Sequence, residues 1–343
     1  MMNDTVRIRR AADGLWIIAP DGAPTVLDGA AGSDVLVLEV AGGHLTWQLF
    51  GGQTIPAAVI DDVQLAQEWL WAVFGEEIAL AVDAGGTGEF GVVPGLPELV
   101  ASAWRLGYAH WAARWWPASI IDGIAPLDER LLLDEIAALS GECEMLVDGA
   151  DASFVAQTGQ LPGIRGRTDD YALAAGPATS VPSGVLVLAR GTGGWDWRHC
   201  PPGLLDASDN AVSWAVVRGA GTTTVLVRVV AAPQLRGDVP RHLLPHALVR
   251  TAAGTIEATL ALDGDAWTTE VTAPVGAESG VAVQVSVPGV GVEDSAESSG
   301  PDNRQRVREF AALRLSRATE TPDNLADAPL LAEMAAAASD SDF

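Results

Sequence analysis

Histidine is the side chain that most often serves as a base or a metal ligand near neutral pH, and the chain contains five. His242 and His246 have the i, i+4 spacing of a helical metal site. Pro245 argues against a regular helical turn between them, and no glutamate follows His242 as it does in a zincin motif. His199 and Cys200 could join the two histidines only after folding. We therefore predict no metal site.

Nucleophilic catalysis needs an exposed nucleophile with a base in reach, and the usual signatures of such a site are missing. The sequence has no GxSxG elbow, and it has no lysine for a Schiff base or a Walker-type phosphate site. His44 falls in a predicted strand and His110 on the flank of a predicted helix, so we interpret both as structural. Cys143 and Cys200 show no CxxC spacing, which argues against a disulfide scaffold. We predict no catalytic residue and no cofactor.

The string GTGEFG at residues 86–91 matches the GxGxxG pattern of dinucleotide sites. A phosphate-binding turn opens directly into a helix, whereas the residues after position 91 predict an extended chain. We therefore interpret residues 77–95 as a hairpin of two apolar strands around a glycine-rich bend. Two pairs of neighbouring carboxylates also have structural explanations, as a helix start and a hairpin turn: Asp61 with Asp62, and Asp263 with Asp265.

The segment RGTGGWDWRHCPPG, residues 190–203, is the loop with the strongest signal for recognition. It places Trp195 and Trp197 among glycines at the end of a predicted strand, next to Arg198 and His199. Aromatic loops of this kind can bind sugars or peptides by stacking. The alternative is that both tryptophans fold back and cover the core. We keep the four residues as a candidate ligand contact.

An arginine-rich helix, predicted over about residues 302–318, stands out against the acidic background. It has two interpretations: a helix that docks on the chain's own acidic surface, or a helix that binds a partner and is steered to it by charge. Its candidate contact residues are Arg304, Arg308, Phe310 and Arg314.

The element that must organise the first half is the segment of residues 97–119. In a helix, its aromatic side chains fall within one narrow stripe: Trp104, Tyr108, Trp111 and Trp115. Such a stripe is too apolar to stay exposed on an ordinary monomer, so we predict that it is buried within the N-terminal domain. Trp116 lies off the stripe and is the predicted exposed member.

The order of patterns predicts an α+β N-terminal domain, residues 1–156, in which two helices cover short strands. A Gly/Pro-rich linker at 157–183 precedes a β-sandwich at 184–292, whose strands alternate in polarity and whose clearest hairpin signal is Asp263-Gly264. Residues 293–343 form a helical, partly disordered acidic tail: an acidic spacer, the arginine-rich helix and an acidic end.

The composition restricts the partners. The net charge is −25, and acidic residues outnumber basic ones in both halves. We therefore expect the protein to bind neither nucleic acid nor anionic membranes. All basic side chains other than histidine are arginine; GC-rich coding or avoidance of lysine modification would each explain this. With no signal peptide pattern and no long apolar run, we expect a cytoplasmic protein.

We therefore predict a non-enzymatic adaptor or accessory subunit that acts through protein–protein contacts. The alternatives are a module that binds a glycan or peptide at the sandwich loops, and a hydrolase with an unrecognised motif. The partner and the oligomeric state are left open.

Overall fold

Fourteen strands and six helices are present in the part of the chain that the structure, a computed structural model, describes. That part comprises residues 5–28, 32–147, 184–235, 239–274, 276–291, 300–322 and 324–340. The chain divides into two units, each assembled from separate segments. The first unit contains Met1–Arg114, Leu127–Gln160 and Leu313–Phe343, and the second contains Trp115–Pro126 and Leu161–Ala312. Residues 148–183 and 292–299 are outside the described residues. The predicted linker at 157–183 and the predicted start of the acidic spacer at 293 fall in these ranges, so both stay predictions.

The first unit is built on a six-stranded antiparallel sheet with the order β3-β4-β5-β2-β1-β6. Alternation of apolar and polar residues, as along β1 and β3, buries one side of these strands. The strands β2 and β5 are buried almost throughout, in keeping with their central positions. The bounds are β1 Thr5–Arg10, β2 Trp16–Ala19, β3 Val35–Val40, β4 Gly43–Gln48, β5 Ala57–Ile60 and β6 Gly88–Gly91.

Four helices of the first unit follow or interrupt these strands. The predicted helix start at Asp61 and Asp62 is confirmed: the Asp62 carboxylate caps α1 by accepting the N–H groups of Gln64 and Leu65. In the same way, Asp128 caps α4. The bounds are α1 Val63–Phe74, α2 Glu76–Asp83, α3 Pro97–Trp115 and α4 Glu129–Glu142.

The predicted hairpin at residues 77–95 is wrong. Its first half is the helix α2, because Ile78, Ala79 and Val82 meet the core at helical spacing and two glutamates stabilise the first turn. Its second half contains β6, which pairs with β1 rather than with its neighbour in sequence. The short apolar run fits a strand or a helix equally well, and tertiary packing decided between them.

Helix α3 packs against the sheet at Gly107, where an added Cβ would lie 3.7 to 3.9 Å from Trp47, Leu36 and Leu38. Burial of the predicted stripe is confirmed for Tyr108 and Trp111, and Trp104 and Trp115 are half-buried. Trp116 is half-buried rather than exposed, because its indole N–H donates to the Ala125 carbonyl.

The second unit contains two antiparallel sheets, with the orders β12-β13-β9-β8-β7 and β11-β10-β14. The hairpin turn predicted at Asp263-Gly264 is confirmed, since Asp263 pairs with Ala266 across it. The segment IEATLAL, residues 256–262, alternates in polarity as a single strand would, but it is divided between β11 and β12 at the buried Leu260, whose N–H donates to the Pro245 carbonyl. The bounds are β7 Leu186–Gly193, β8 Val212–Gly219, β9 Thr222–Val230, β10 His246–Thr251, β11 Gly254–Thr259, β12 Ala261–Asp263, β13 Ala266–Ala273 and β14 Ala282–Ser286.

Two helices close the described chain, α5 (Pro301–Arg317) and α6 (Leu331–Asp340), and α5 is the arginine-rich helix predicted over about residues 302–318. The boundary between the units falls within α5, after Ala312. The overall combination of helices with antiparallel sheets in both halves of the chain confirms the predicted mixture of α and β structure. In the described part of the chain, no helix combines the length and apolarity needed to cross a membrane.

Candidate functional site

A fully buried carboxylate, that of Glu333 on α6, lies at the centre of a polar cluster in the first unit. Arg314 of α5 binds it with two hydrogen bonds, from Nε at 2.9 Å and from Nη2 at 2.7 Å. The Tyr108 hydroxyl donates to it at 2.6 Å, and the backbone N–H of Leu330 donates at 2.7 Å. These four donors match the four lone-pair positions of a carboxylate, so the charge of Glu333 is fully compensated.

The neighbours of this cluster hold it in one protonation state. Burial, and then the charge of Glu333, raises the pKa of Tyr108 well above its ordinary value of 10.0. Burial lowers the pKa of Arg314, but its hydrogen bonds and charge interactions with Glu333 and Tyr108 together outweigh burial and raise the pKa. The guanidinium carbon also lies 4.8 Å from the centre of the Tyr108 ring. The phenol therefore stays neutral and the guanidinium charged near pH 7, which suits an anchor rather than a proton-transfer site.

A second buried carboxylate holds the start of α6 in the same unit. Glu135 of α4 accepts a hydrogen bond from Arg105 at 2.9 Å and another from the Leu331 N–H at 2.7 Å. Burial raises the pKa of Glu135, and the hydrogen bond from Leu331 and the charge of Arg105 oppose that shift. Glu135 and Glu333 together bind the first turn of α6, where carboxylates interact favourably with free N–H groups.

The first half of α5 is paired with carboxylates of the second unit. Arg308 lies 2.7 Å from Asp209 and 3.2 Å from Asp122, and Arg304 lies 2.8 Å from Asp209. The candidate contact residues Arg304, Arg308 and Arg314 are thus all engaged with the chain's own acidic groups, and Phe310 is half-buried. This arrangement favours the self-docked interpretation of the arginine-rich helix.

Asp206 is a fully buried carboxylate in the second unit. It accepts hydrogen bonds from the Ser119 hydroxyl at 2.7 Å, from the Ile120 N–H at 2.7 Å and from the Ser208 N–H at 2.9 Å. Burial raises its pKa, and these hydrogen bonds oppose the shift. The donors come from two segments far apart in sequence, so the residue joins them structurally.

The candidate loop at 190–203 is folded inward. Trp195 and Trp197 are both buried, and the Trp195 indole N–H donates to the Asp206 carbonyl at 2.7 Å. Arg198 binds the carboxylate of Asp196 with its Nη2 at 2.8 Å, and His199 lies 3.7 Å from the same carboxylate. Burial would raise the pKa of Asp196, but the hydrogen bonds from Arg198 and the charges of Arg198 and His199 together outweigh burial and lower the pKa. Buried indoles offer no face for stacking, so the geometry favours the interpretation that they cover the core.

The structure does not place the candidate histidines in a common site. His242 lies in a short 3-10 turn, whereas His246 begins β10 and lies 3.1 Å from Glu257. Among the described residues, no group of three or more His, Cys, Asp or Glu side chains could hold a metal ion. His110 lies in α3, and burial lowers its pKa. Burial, followed by the charge of Glu142, raises the pKa of Cys143 to about 12, which makes its thiol unreactive.

One surface that the sequence patterns did not identify is formed by Trp71 of α1 with Val93 and Leu96 of the loop between β6 and α3. We call it the Trp71 surface. The three residues are 43%, 73% and 37% exposed. The loop lies along the last turn of α1, because the N–H of Gly95 donates to the Trp71 carbonyl and the N–H of Leu96 donates to the Ala72 carbonyl. The run EWLWAVF contained the signal: Trp69, Leu70 and Val73 form the buried stripe, and Trp71 falls outside it.

Glycine at position 95 is required for this arrangement. An added Cβ would lie 2.9 Å from the Trp71 ring and 3.0 Å from its carbonyl oxygen, so the loop backbone packs directly on the indole. Gly75 has a similar role, since a Cβ there would collide with the Val93 carbonyl. The indole is therefore held by backbone on one side while part of its ring remains exposed.

The surroundings of the Trp71 surface are acidic. Exposed glutamates occur one turn before Trp71, in the first turn of α2, and two residues after Leu96: Glu68, Glu76, Glu77 and Glu98. Between residues 11 and 104 the chain has thirteen acidic residues and no lysine or arginine. Within the described ranges, these four glutamates take part in none of the ion pairs.

Comparison with known proteins identifies no relative: no family model, no curated protein and no solved structure matches the chain.

Proposed function

We propose that the protein is a non-enzymatic adaptor or accessory subunit that acts through protein–protein contacts. In this proposal an α+β domain precedes a β-sandwich domain and an acidic C-terminal tail, and the Trp71 surface is the place where a partner docks. Arg304, Arg308 and Arg314 of α5 and the Trp195–Trp197 loop contribute to folding in this proposal, since their side chains are paired or buried within the chain.

The observation that carries the proposal is the partial exposure of Trp71 beside Val93 and Leu96. Tryptophan is enriched among the residues that dominate binding energy at protein interfaces, and its ring is most effective when neighbouring apolar groups exclude water. Hydrogen bonds between the loop and the end of α1 hold the surface in place before any partner arrives. A preformed surface loses little conformational freedom on binding, which favours affinity.

Site-directed photo-crosslinking tests the proposal. A photoreactive amino acid is introduced at position 93 in the tagged full-length protein, which is expressed in the organism of origin and irradiated in the cells. We expect a defined cross-linked polypeptide, identified by mass spectrometry, whose yield falls when Trp71→Ala is combined with the probe.

The matched control places the same photoreactive group at position 186 in β7, where Leu186 is 63% exposed on the second unit. The expected polypeptide is absent with this control. If position 93 forms no cross-link beyond those seen at position 186, or if Trp71→Ala leaves the yield unchanged in a folded protein, the Trp71 surface is not a docking site.

A further inference from the structure

We infer that the Trp71 surface binds a short basic segment of a partner protein, one that combines an apolar anchor residue with arginine or lysine side chains. This inference rests on the proposed function and specifies the chemistry of its partner. Its components are an apolar centre formed by Trp71, Val93 and Leu96, and the exposed glutamates that occur along the same elements.

The acidic residues around the Trp71 surface favour a partner segment with positive charge. The stretch of residues 11–104 contains every side chain of the Trp71 surface, and in that stretch no lysine or arginine balances the thirteen acids. The four exposed glutamates would repel an acidic segment, and repulsion between like charges at an interface costs several kcal/mol. A basic segment would be attracted over a distance of about one Debye length, roughly 8 to 10 Å at physiological salt.

The exposed indole of Trp71 also favours a positively charged ligand. A guanidinium or ammonium group over the face of a tryptophan is attracted by the ring's electrons. Gly95 packs against the Trp71 ring from the chain's own side, so the exposed part of the ring is available to a ligand. Glu68, one helical turn before Trp71, is placed to accept hydrogen bonds from the same cation.

The size of the surface indicates a segment rather than a folded domain. Three side chains of at most about 250 Å² each, only partly exposed, provide less than the roughly 800 Å² that each partner buries in a standard interface. A peptide with one anchor side chain and flanking charges fits this area. Basic segments of this kind bind through a few anchor residues, with charge fixing their orientation.

Fluorescence anisotropy with synthetic peptides tests the inference on the purified full-length protein at about 0.15 M salt, where long-range attraction is screened. The probe is a fluorescein-labelled peptide of arginine and leucine residues. One matched peptide carries glutamate in place of arginine, and another carries serine in place of leucine. We expect the arginine–leucine peptide to bind and both matched peptides to bind much more weakly.

Variants then locate the binding. Trp71→Ala is expected to raise the Kd of the arginine–leucine peptide about 30-fold or more, the effect of losing an interface hot spot. Val93→Ser and Glu68→Gln alter exposed side chains, so they keep the test valid if Trp71→Ala disturbs the fold; each is expected to raise the Kd several-fold. Leu186→Ser and Glu270→Gln make equivalent changes on exposed residues of the second unit and should leave the Kd unchanged.

Each other outcome overturns the inference. Equal weakening by Glu68→Gln and Glu270→Gln would show binding to net charge without a site. Equal binding of the glutamate–leucine peptide would show an apolar site with no preference for cations, and the proposed function would survive. A dimer in sedimentation experiments that Val93→Ser dissociates would identify a second copy as the occupant. If no peptide binds, the inference fails, while the cross-linking at position 93 decides the proposed function separately.

Discussion

Asp206 shows how a single buried side chain can make folding stability depend on pH. The carboxylate is fully buried, and three of its hydrogen-bond donors belong to Ser119, Ile120 and Ser208. Hydrogen bonds from these donors stabilise the ionised carboxylate and lower its pKa, but burial has the larger effect and raises the pKa above its ordinary value of 3.8. The folded protein therefore binds a proton at Asp206 more tightly than the unfolded chain does.

The raised pKa of Asp206 determines how the free energy of unfolding changes with pH. Between the unfolded and the folded pKa, the folded state binds more protons, so the free energy of unfolding decreases as pH rises from about 3.8. In Asp206→Asn this contribution is absent. We expect the difference in unfolding free energy between the natural protein and Asp206→Asn to be largest at low pH and to shrink as pH rises, as measured by urea denaturation across that range.

Ser119→Ala provides the comparison. It removes a hydrogen bond that lowers the pKa of Asp206 and leaves the carboxyl in place, so the decrease in stability should extend to higher pH. Identical pH dependence in the natural protein and in both variants would show that Asp206 has the same pKa in the folded and unfolded states.

At the scale of elements, α6 shows that a short helix near the end of the chain is part of the fold. Its first turn is bound by Glu135 and Glu333, and Leu330 and Ala332 are buried. A ten-residue helix is marginal in isolation, so its stability comes from this docking. Removal of residues 293–343 would therefore remove buried side chains and lower the melting temperature, and such a deletion would not be a clean test of partner binding.

Glu333→Gln tests the anchoring of α6. The change keeps the shape of the side chain but leaves Arg314 without its charge partner, and breaking a buried ion pair from one side costs about 3–5 kcal/mol. We expect the free energy of unfolding to decrease by about that amount in guanidinium or urea denaturation.

Glu309→Gln is the matched control, because Glu309 is an exposed glutamate on α5 that accepts a hydrogen bond from the side chain of the neighbouring Gln305. Its effect should stay within about 0.5 kcal/mol. Equal effects of the two substitutions would mean that Glu333 contributes no more to folding than a surface residue.

At the scale of the whole molecule, the net charge of −25 is the dominant electrostatic property. Self-repulsion among surplus carboxylates destabilises a compact state, and salt screens it. Salt screens the buried ion pair of Arg314 and Glu333 much less than it screens surface charges, because water and ions do not enter between the two groups.

We therefore expect the melting temperature at pH 7 to rise as the salt concentration increases from about 0.01 M to about 0.5 M, a range over which the Debye length falls from about 30 Å to a few Å. The same series at about pH 5, closer to the isoelectric pH of about 4.3, should show a smaller rise because fewer net charges repel. A melting temperature that falls with salt at pH 7 would show that ion pairs outweigh repulsion.

The sequence by itself determined most of the elements and their caps. Asp62 and Asp128 cap helices, Asp263-Gly264 forms a hairpin turn, and the aromatic stripe of α3 is buried at Tyr108 and Trp111. These features depend on residues within a few positions of one another, so local periodicity and turn chemistry reveal them.

Only the tertiary structure decided which polar side chains meet and which apolar ones stay exposed. Tyr108 and Glu333 are 225 positions apart, and no pattern in either segment predicts their hydrogen bond. The strand β6, which follows the glycine-rich bend, pairs with β1. Trp71 is partly exposed beside the loop whose N–H groups donate to the last carbonyls of its helix. Such outcomes depend on how distant segments compete for the same core, because burial and hydrogen bonding are satisfied across the fold rather than along the chain.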